Sequence, residues 1–225
     1  FIEHKRKTYM DRIAPFIGKP MVKVVTGMRR SGKSCFIRQI IRYLHAALRV
    51  PMSNIVYVDK ESLDFEYIES YRELYDLVKK VKTKTKGIVY LFIDEVQEIR
   101  GWEKAIASFS GDVRVDVYLT GSNAHLFSSQ IATRLAGRYI EISMYTLNFR
   151  EFMEFRRAGS GSAEKEFRSF LRYGGFPAIH QLDLIDDSVY PYIQAIYNTV
   201  LLKDVVRRYE IRNVSLLENI GRFLM

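Results

Sequence analysis

The sequence predicts an α/β fold, a parallel sheet with helices on both faces followed by a helical region, on three observations. Residues 27–34, Gly27-Met28-Arg29-Arg30-Ser31-Gly32-Lys33-Ser34, fit G-x-x-x-x-G-K-S/T, the spacing of a phosphate-binding loop. An unbroken apolar run, Ile88 to Ile93, ends in Asp94-Glu95, as does a strand that is buried on both faces and stops at two carboxylates. Around these, β-branched runs alternate with segments of helical period, the rhythm of βαβ units.

Residues 1 to 20 read as a helix, with Tyr9, Ile13 and Phe16 on one face and a connection through Gly18 and Pro20; it should cover the edge of the nucleotide site or the sheet. Val22-Lys23-Val24-Val25-Thr26 is a β-branched run suited to a buried first strand. After the glycine loop, Phe36, Ile37, Ile40, Ile41, Leu44 and Leu48 recur at helical spacing. By average residue usage the bare loop pattern arises in roughly one chain in a hundred of this size. The flanking strand and helix therefore decide in its favour. Asn54 to Asp59 reads as a second strand, and Tyr67 to Val81 as a helix with Ile68, Leu74, Leu77, Val78 and Val81 inward. Gly87 to Ile93 is a third strand, Trp102 to Phe109 a short helix, and Val113 to Thr120 a fourth strand ending at Gly121-Ser122-Asn123. Ala124 to Leu135 is helical and Tyr139 to Ser143 a fifth strand.

From Thr146 the character changes. Phe149, Phe152, Met153 and Phe155 make an aromatic helical face, and Arg156 to Ala163 is a small, polar linker. Beyond it come helices at about 164 to 173, 187 to 209 and 214 to the end, with Gly174-Gly175-Phe176-Pro177 as a turn. The expected division is 1–158 for the sheet domain and 159–225 for the helical region. The chain starts at Phe1 and its last helix is still apolar at Met225, so a segment of a longer protein is expected.

At 225 residues, 48% apolar, the chain can bury a full core. No apolar run approaches the 18 or so residues that span a bilayer, so no membrane partner is expected. One cysteine, Cys35, excludes an internal disulfide framework and fits a reducing compartment, the cytoplasm. Packing between helix and sheet is its expected role, ahead of redox chemistry. The net charge of +9 favours polyanions such as DNA. The densest lysine run, Lys79 to Lys86, sits at a helix end and reads as a solvated, dipole-compensating face. The four histidines are scattered, and no zinc, haem or nucleophile-triad pattern is present.

The loop's chemistry follows from its residue types. Glycines at its two bends let backbone N–H groups wrap a polyphosphate without a Cβ clash. Lys33 reaches the β/γ phosphates, Ser34 offers its hydroxyl to Mg²⁺, and the helix dipole faces the anion. Asp94 would hold the Mg²⁺ shell opposite Ser34, and Glu95 would orient and deprotonate the attacking water. Strand C-termini of a parallel sheet share one rim, so Ser122 or Asn123 is a γ-phosphate sensor; a turn or helix cap is the competing account. Arg134 and Arg138 are each candidates for the cation that stabilises transferred phosphoryl charge, against a surface ion pair.

The sequence resembles the AAA-type ATPases of the additional-strand P-loop group, and more narrowly prokaryotic ATP-binding proteins with an N-terminal AAA domain and a C-terminal nuclease-like domain. The matches are T-G-x-R-R-x-G-K-S at Thr26 to Ser34, D-E-V-Q at Asp94 to Gln97 and L-T-G-S at Leu119 to Ser122. L-A-G-R-Y at Leu135 to Tyr139, N-F-R-E-F at Asn148 to Phe152 and Y-G-G-F-P at Tyr173 to Pro177 follow in order. The resemblance implies a three-layer P-loop NTPase sandwich, with sheet order 5-1-4-3-2, and a helical, lid-like or winged-helix-like region; no room remains for the nuclease-like domain. It implies ATP or ADP with Mg²⁺ as cofactors, adenine being preferred because no guanine-reading N-K-x-D is present. The phosphates would lie on Gly27, Met28, Arg29, Arg30, Ser31, Gly32, Lys33, Ser34 and Cys35, the metal on Ser34 and Asp94. Lys33, Glu95, Ser122 as sensor and Arg138 as arginine finger complete the machinery. The expected function is Mg²⁺-dependent ATP hydrolysis coupled to conformational change, with DNA or a protein as partner and the oligomeric state open. A slow nucleotide-gated module that grips DNA or a protein is the alternative.

Overall fold

A computed structural model of the chain describes residues 4–121, 135, 137–156, 162–200, 205–206 and 211–224. Five parallel strands form one sheet: β1 (Val22–Thr26), β2 (Ile55–Asp59), β3 (Val89–Asp94), β4 (Val115–Gly121) and β5 (Tyr139–Ser143). Their order is β2-β3-β4-β1-β5, the expected order read from its other edge. The helices around them are α1 (Lys7–Ile13), α2 (Lys33–Ala46), α3 (Tyr71–Lys84) and α4 (Trp102–Ser110).

Two cores make the layers. On one face Val22, Val24, Val58, Leu91, Ile93, Val117 and Leu119 pack against Leu74 and Val78 of α3 and Ile106 of α4. On the other, Val25, Phe92, Tyr118 and Ile142 meet Tyr9 and Ile13 of α1 and Phe36, Ile37, Ile40 and Leu44 of α2. Every residue of β1 is buried, so its sequence shows no alternation of core and solvent positions. The N-terminal helix is shorter than expected, because Pro15 lies in a 3₁₀ turn, Ala14–Phe16, and Gly18 turns the chain at φ 71°. It borders the β5 edge, where the Tyr145 N–H donates to the Tyr9 hydroxyl (3.1 Å).

Helix α3 begins four residues later than its apolar period suggests. Ser70 caps it, its hydroxyl accepting from the Arg72 N–H (3.4 Å) while its own N–H donates to the Glu73 carboxylate (2.9 Å). This capping box outweighs Ile68, which is fully buried but stands before the helix.

The sequence reading missed a buried ion pair. Lys23 in β1 is fully buried and donates to Asp116 in β4, itself 3% exposed. Burial disfavours both charges, drawing the Lys23 ammonium down and the Asp116 carboxyl up from their ordinary values, and their attraction opposes this. The remaining valences are met: Lys23 also donates to the Lys19 carbonyl (2.7 Å), while Asp116 accepts from the Gly18 N–H (2.8 Å) and the Tyr118 hydroxyl (2.9 Å). Lys23→Met strands a buried carboxylate and is expected to lower stability by about 3–5 kcal/mol, read from urea unfolding midpoints. A loss under ~1 kcal/mol would contradict this account.

The chain divides into two compact units, Phe1–Met28 with Gly32–Tyr145, and Arg29–Ser31 with Thr146–Met225. The second contains α5 (Phe149–Arg156), α6 (Ala163–Tyr173), α7 (Asp186–Thr199) and α8 (Val214–Leu224). Phe152 of α5 shares a core with Tyr173, Ile179 and Val189, so α5, placed by sequence before the 158/159 boundary, packs with the helices after it. The Y-G-G-F-P turn has a steric cause. Gly174 sits at φ 75°, and a Cβ on Gly175 would lie 2.2 Å from the Leu147 carbonyl oxygen. Among the described residues, no helix is long and apolar enough to cross a membrane.

Candidate nucleotide site

The parallel register brings three strand ends together. Thr26 pairs with Gly121, and Ile93 with Leu119, so the ends of β1, β4 and β3 follow one another along one rim. The glycine loop leaves β1 there. Gly27 takes φ 145° and Gly32 φ 99°, values that favour glycine, and Arg30 is left-handed at φ 64°. Gly32 is the N-cap of α2 and supplies no side-chain cap. The first helical bond runs from the Phe36 N–H to the Gly32 carbonyl (2.9 Å), so the amides of Lys33, Ser34 and Cys35 lie outside the ladder, as an anion-binding helix start requires. Lys33 is 5% exposed and its ammonium donates to the Met28 carbonyl (3.1 Å), curling back over the loop. Cys35 is exposed rather than packed against the sheet, because Phe36 and Ile37 take the inward face of that turn.

Asp94 ends β3 at 2% exposure. Its Oδ1 accepts from the Thr120 hydroxyl, and its Oδ2 from the Tyr57 hydroxyl (3.2 Å). Burial, then the Asp94 and Asp59 carboxylates, push the Tyr57 phenol well above its ordinary value and keep it a donor. Both hydroxyls that bond it are neutral groups, so no cation lies among these partners. With Ser34 one residue into α2, this oxygen-rich set fits a hard divalent cation.

Glu95 is also buried, with its backbone left-handed at φ 55° and ψ 54°. Its N–H donates to Thr120 Oγ1 (3.1 Å), and Gln97 Nε2 donates to its carboxylate. Thr120 thus touches both acid residues, a contact that the sequence reading did not anticipate. The available signal was a lone hydroxyl residue at the end of an apolar strand.

Arg138 stands elsewhere. Its carbonyl accepts from the Val22 N–H (2.9 Å), at the beginning of β1, where Val22 pairs with Tyr139. The loop begins after Thr26, roughly 13–16 Å away at ~3.3 Å per residue, more than an arginine side chain spans. Arg138 is exposed and stands at the end of the strands opposite to the loop. Ser122, Asn123 and Arg134 lie outside the described residues.

A family model described as an AAA domain matches residues 19–153. The chain belongs to the AAA domain family. Its matched region takes in the loop, the acid pair and all five strands of this P-loop NTPase sandwich. An uncharacterised protein of Haemophilus influenzae is 30% identical over 221 residues, covering 97% of this chain and 54% of that protein. An uncharacterised protein of Methanocaldococcus jannaschii is 32% identical over 204 residues, covering 86% of this chain and 44% of that one. The chain thus spans about half the length of the curated relatives it matches. Among solved structures, the Aeropyrum pernix ORC1 protein in complex with DNA superimposes with a TM-score of 0.54 at 17% identity, covering 92% of this AAA chain and 69% of that one. Trip13 from Rhizobiales does so at 0.52 and 13%, covering 85% and 80%. These two likenesses concern the fold.

Proposed function

We propose that the protein binds ATP with Mg²⁺ and hydrolyses it in the cytoplasm, and that turnover drives a conformational change in its helical unit. The observation that carries the reading is the Asp94–Glu95 pair held by one threonine hydroxyl on the rim where the glycine loop starts. In this reading the loop amides and Lys33 hold the triphosphate, and Ser34 and Asp94 are the metal ligands. Bound there, Mg²⁺ would neutralise charge on the phosphate oxygens. Glu95 takes the proton of the attacking water, and Ser122 senses the γ-phosphate.

The experiment is single-turnover release of γ-phosphate from ATP by wild type and by Glu95→Gln, with and without duplex DNA. Release by wild type alone is expected. DNA is the effector to try first, because the net charge of +9 favours a polyanion.

Arg138 is read as a finger for the nucleotide of a neighbouring copy, which its exposure and its distance from its own loop support. Arg138→Ala should then lower turnover by about 10³-fold. Mixing it with Glu95→Gln subunits should restore part of the activity. A mixture as inactive as its components would remove the role in trans.

A further inference from the structure

The turn after β3 carries a polar side chain that the reading above leaves unused. Glu95 opens that turn in the left-handed region, which disfavours any residue with a Cβ and persists only where the surroundings over-determine it. Those surroundings are rigid. Val96 and Ile99 are fully buried, the Glu98 N–H donates to the Glu95 carbonyl (3.1 Å), and the Ile99 N–H to the Val96 carbonyl (3.0 Å). The backbone of Gln97 is therefore held relative to that of Glu95, and its side chain keeps its own torsional freedom.

Its two amide ends differ. Nε2 donates to Glu95 Oε2. Oε1 is buried and has no hydrogen-bond partner among the described residues. A buried acceptor without a donor is costly and calls for an explanation. This one sits on the same side chain that holds the carboxylate. A water aimed at phosphorus keeps a lone pair on the line of attack and needs an acceptor for each of its two hydrogens. Glu95 supplies one acceptor.

We infer that Gln97 supplies the other: its amide nitrogen fixes the Glu95 carboxylate, and its amide oxygen accepts the second hydrogen of the attacking water. The inference rests on the hydrolytic reading above. In the step, the water oxygen bonds to the γ-phosphorus and one water proton passes to Glu95. The bond from the γ-phosphorus to the bridging oxygen breaks, its electron pair leaving with ADP. Gln97 gains and loses nothing, and acts by orientation alone.

Gln97→Leu should lower the single-turnover rate about 10²-fold while ATP affinity stays within about threefold. In a Glu95→Gln background the same change should cost less than about threefold, because both residues act on one water. An unchanged rate in the single variant, or losses that multiply in the double, would overturn the inference. A crystal structure of wild type with Mg²⁺, ADP and beryllium fluoride gives a readout apart from rate. It should show the in-line water within about 3.2 Å of both Gln97 Oε1 and the Glu95 carboxylate. A water that Gln97 does not touch would refute the role. If wild type binds ATP without hydrolysing it, the hydrolytic reading alone falls, and the water contact in the crystal decides Gln97 separately.

Discussion

Replacing Lys33 with alanine is expected to weaken ATP binding by about 10²–10³-fold, the loss that follows when one partner of a desolvated charge pair is truncated. Lys33 is almost entirely buried at the first residue of α2, and its ammonium already lies over the loop at the Met28 carbonyl. Its site is thus formed without large rearrangement, and the low-dielectric surroundings magnify the phosphate contact. The loop's glycines and the helix start do not depend on the side chain, so the far-UV circular dichroism should not change. Isothermal titration with ATP and Mg²⁺ reads the effect. Retention of affinity within a few-fold would remove the phosphate assignment of the whole loop.

Glu95→Gln should do the opposite, leaving ATP affinity in place and slowing turnover by about 10²–10⁴-fold, the usual contribution of a positioned base. The substitution is isosteric. Thr120 holds residue 95 through its main-chain N–H, which the change does not touch, so the turn should keep its shape. What disappears is the carboxylate that takes a proton. Phosphate release in a single turnover, with and without DNA, measures this directly. If wild type and variant release phosphate at the same negligible rate, hydrolysis is not the function, and the slow nucleotide-gated module takes its place.

Much of this fold is legible because a parallel sheet covered on both faces leaves apolar runs, unbroken up to Asp94 in β3 and interrupted in β1 and β4 by the paired Lys23 and Asp116. Strand order is another matter. Nothing local in the five runs says which lie side by side, and the order follows only from the resemblance carried by the loop, the acids and the later motifs. The glycine loop and Asp94-Glu95 are visible because backbone conformation and metal chemistry restrict residue type at fixed spacing. The contacts that finish the site are not. Lys23 reads as an interruption in a strand, since its partner lies 93 residues away. Tyr57 and Thr120 read as ordinary strand residues, because periodicity marks what is buried and is silent about which hydroxyl meets which carboxylate. Arg138 follows a recognisable motif, but only the register of β5 against β1 reveals that it stands at the opposite end of the strands from the loop. For α3 the signal was present as Ser70 and Glu73, and the apolar period at Ile68 obscured it.

Thr120 has one hydroxyl hydrogen, and Asp94 takes it; the same oxygen receives the amide of Glu95. The two acids are consecutive in the chain, so this single atom closes a small ring of bonds through both. A shift at the end of β4 therefore reaches the Asp94 carboxylate and the Glu95 main chain at once. Under the proposed function, the residue that holds the metal and the backbone of the residue that activates water would then move as one.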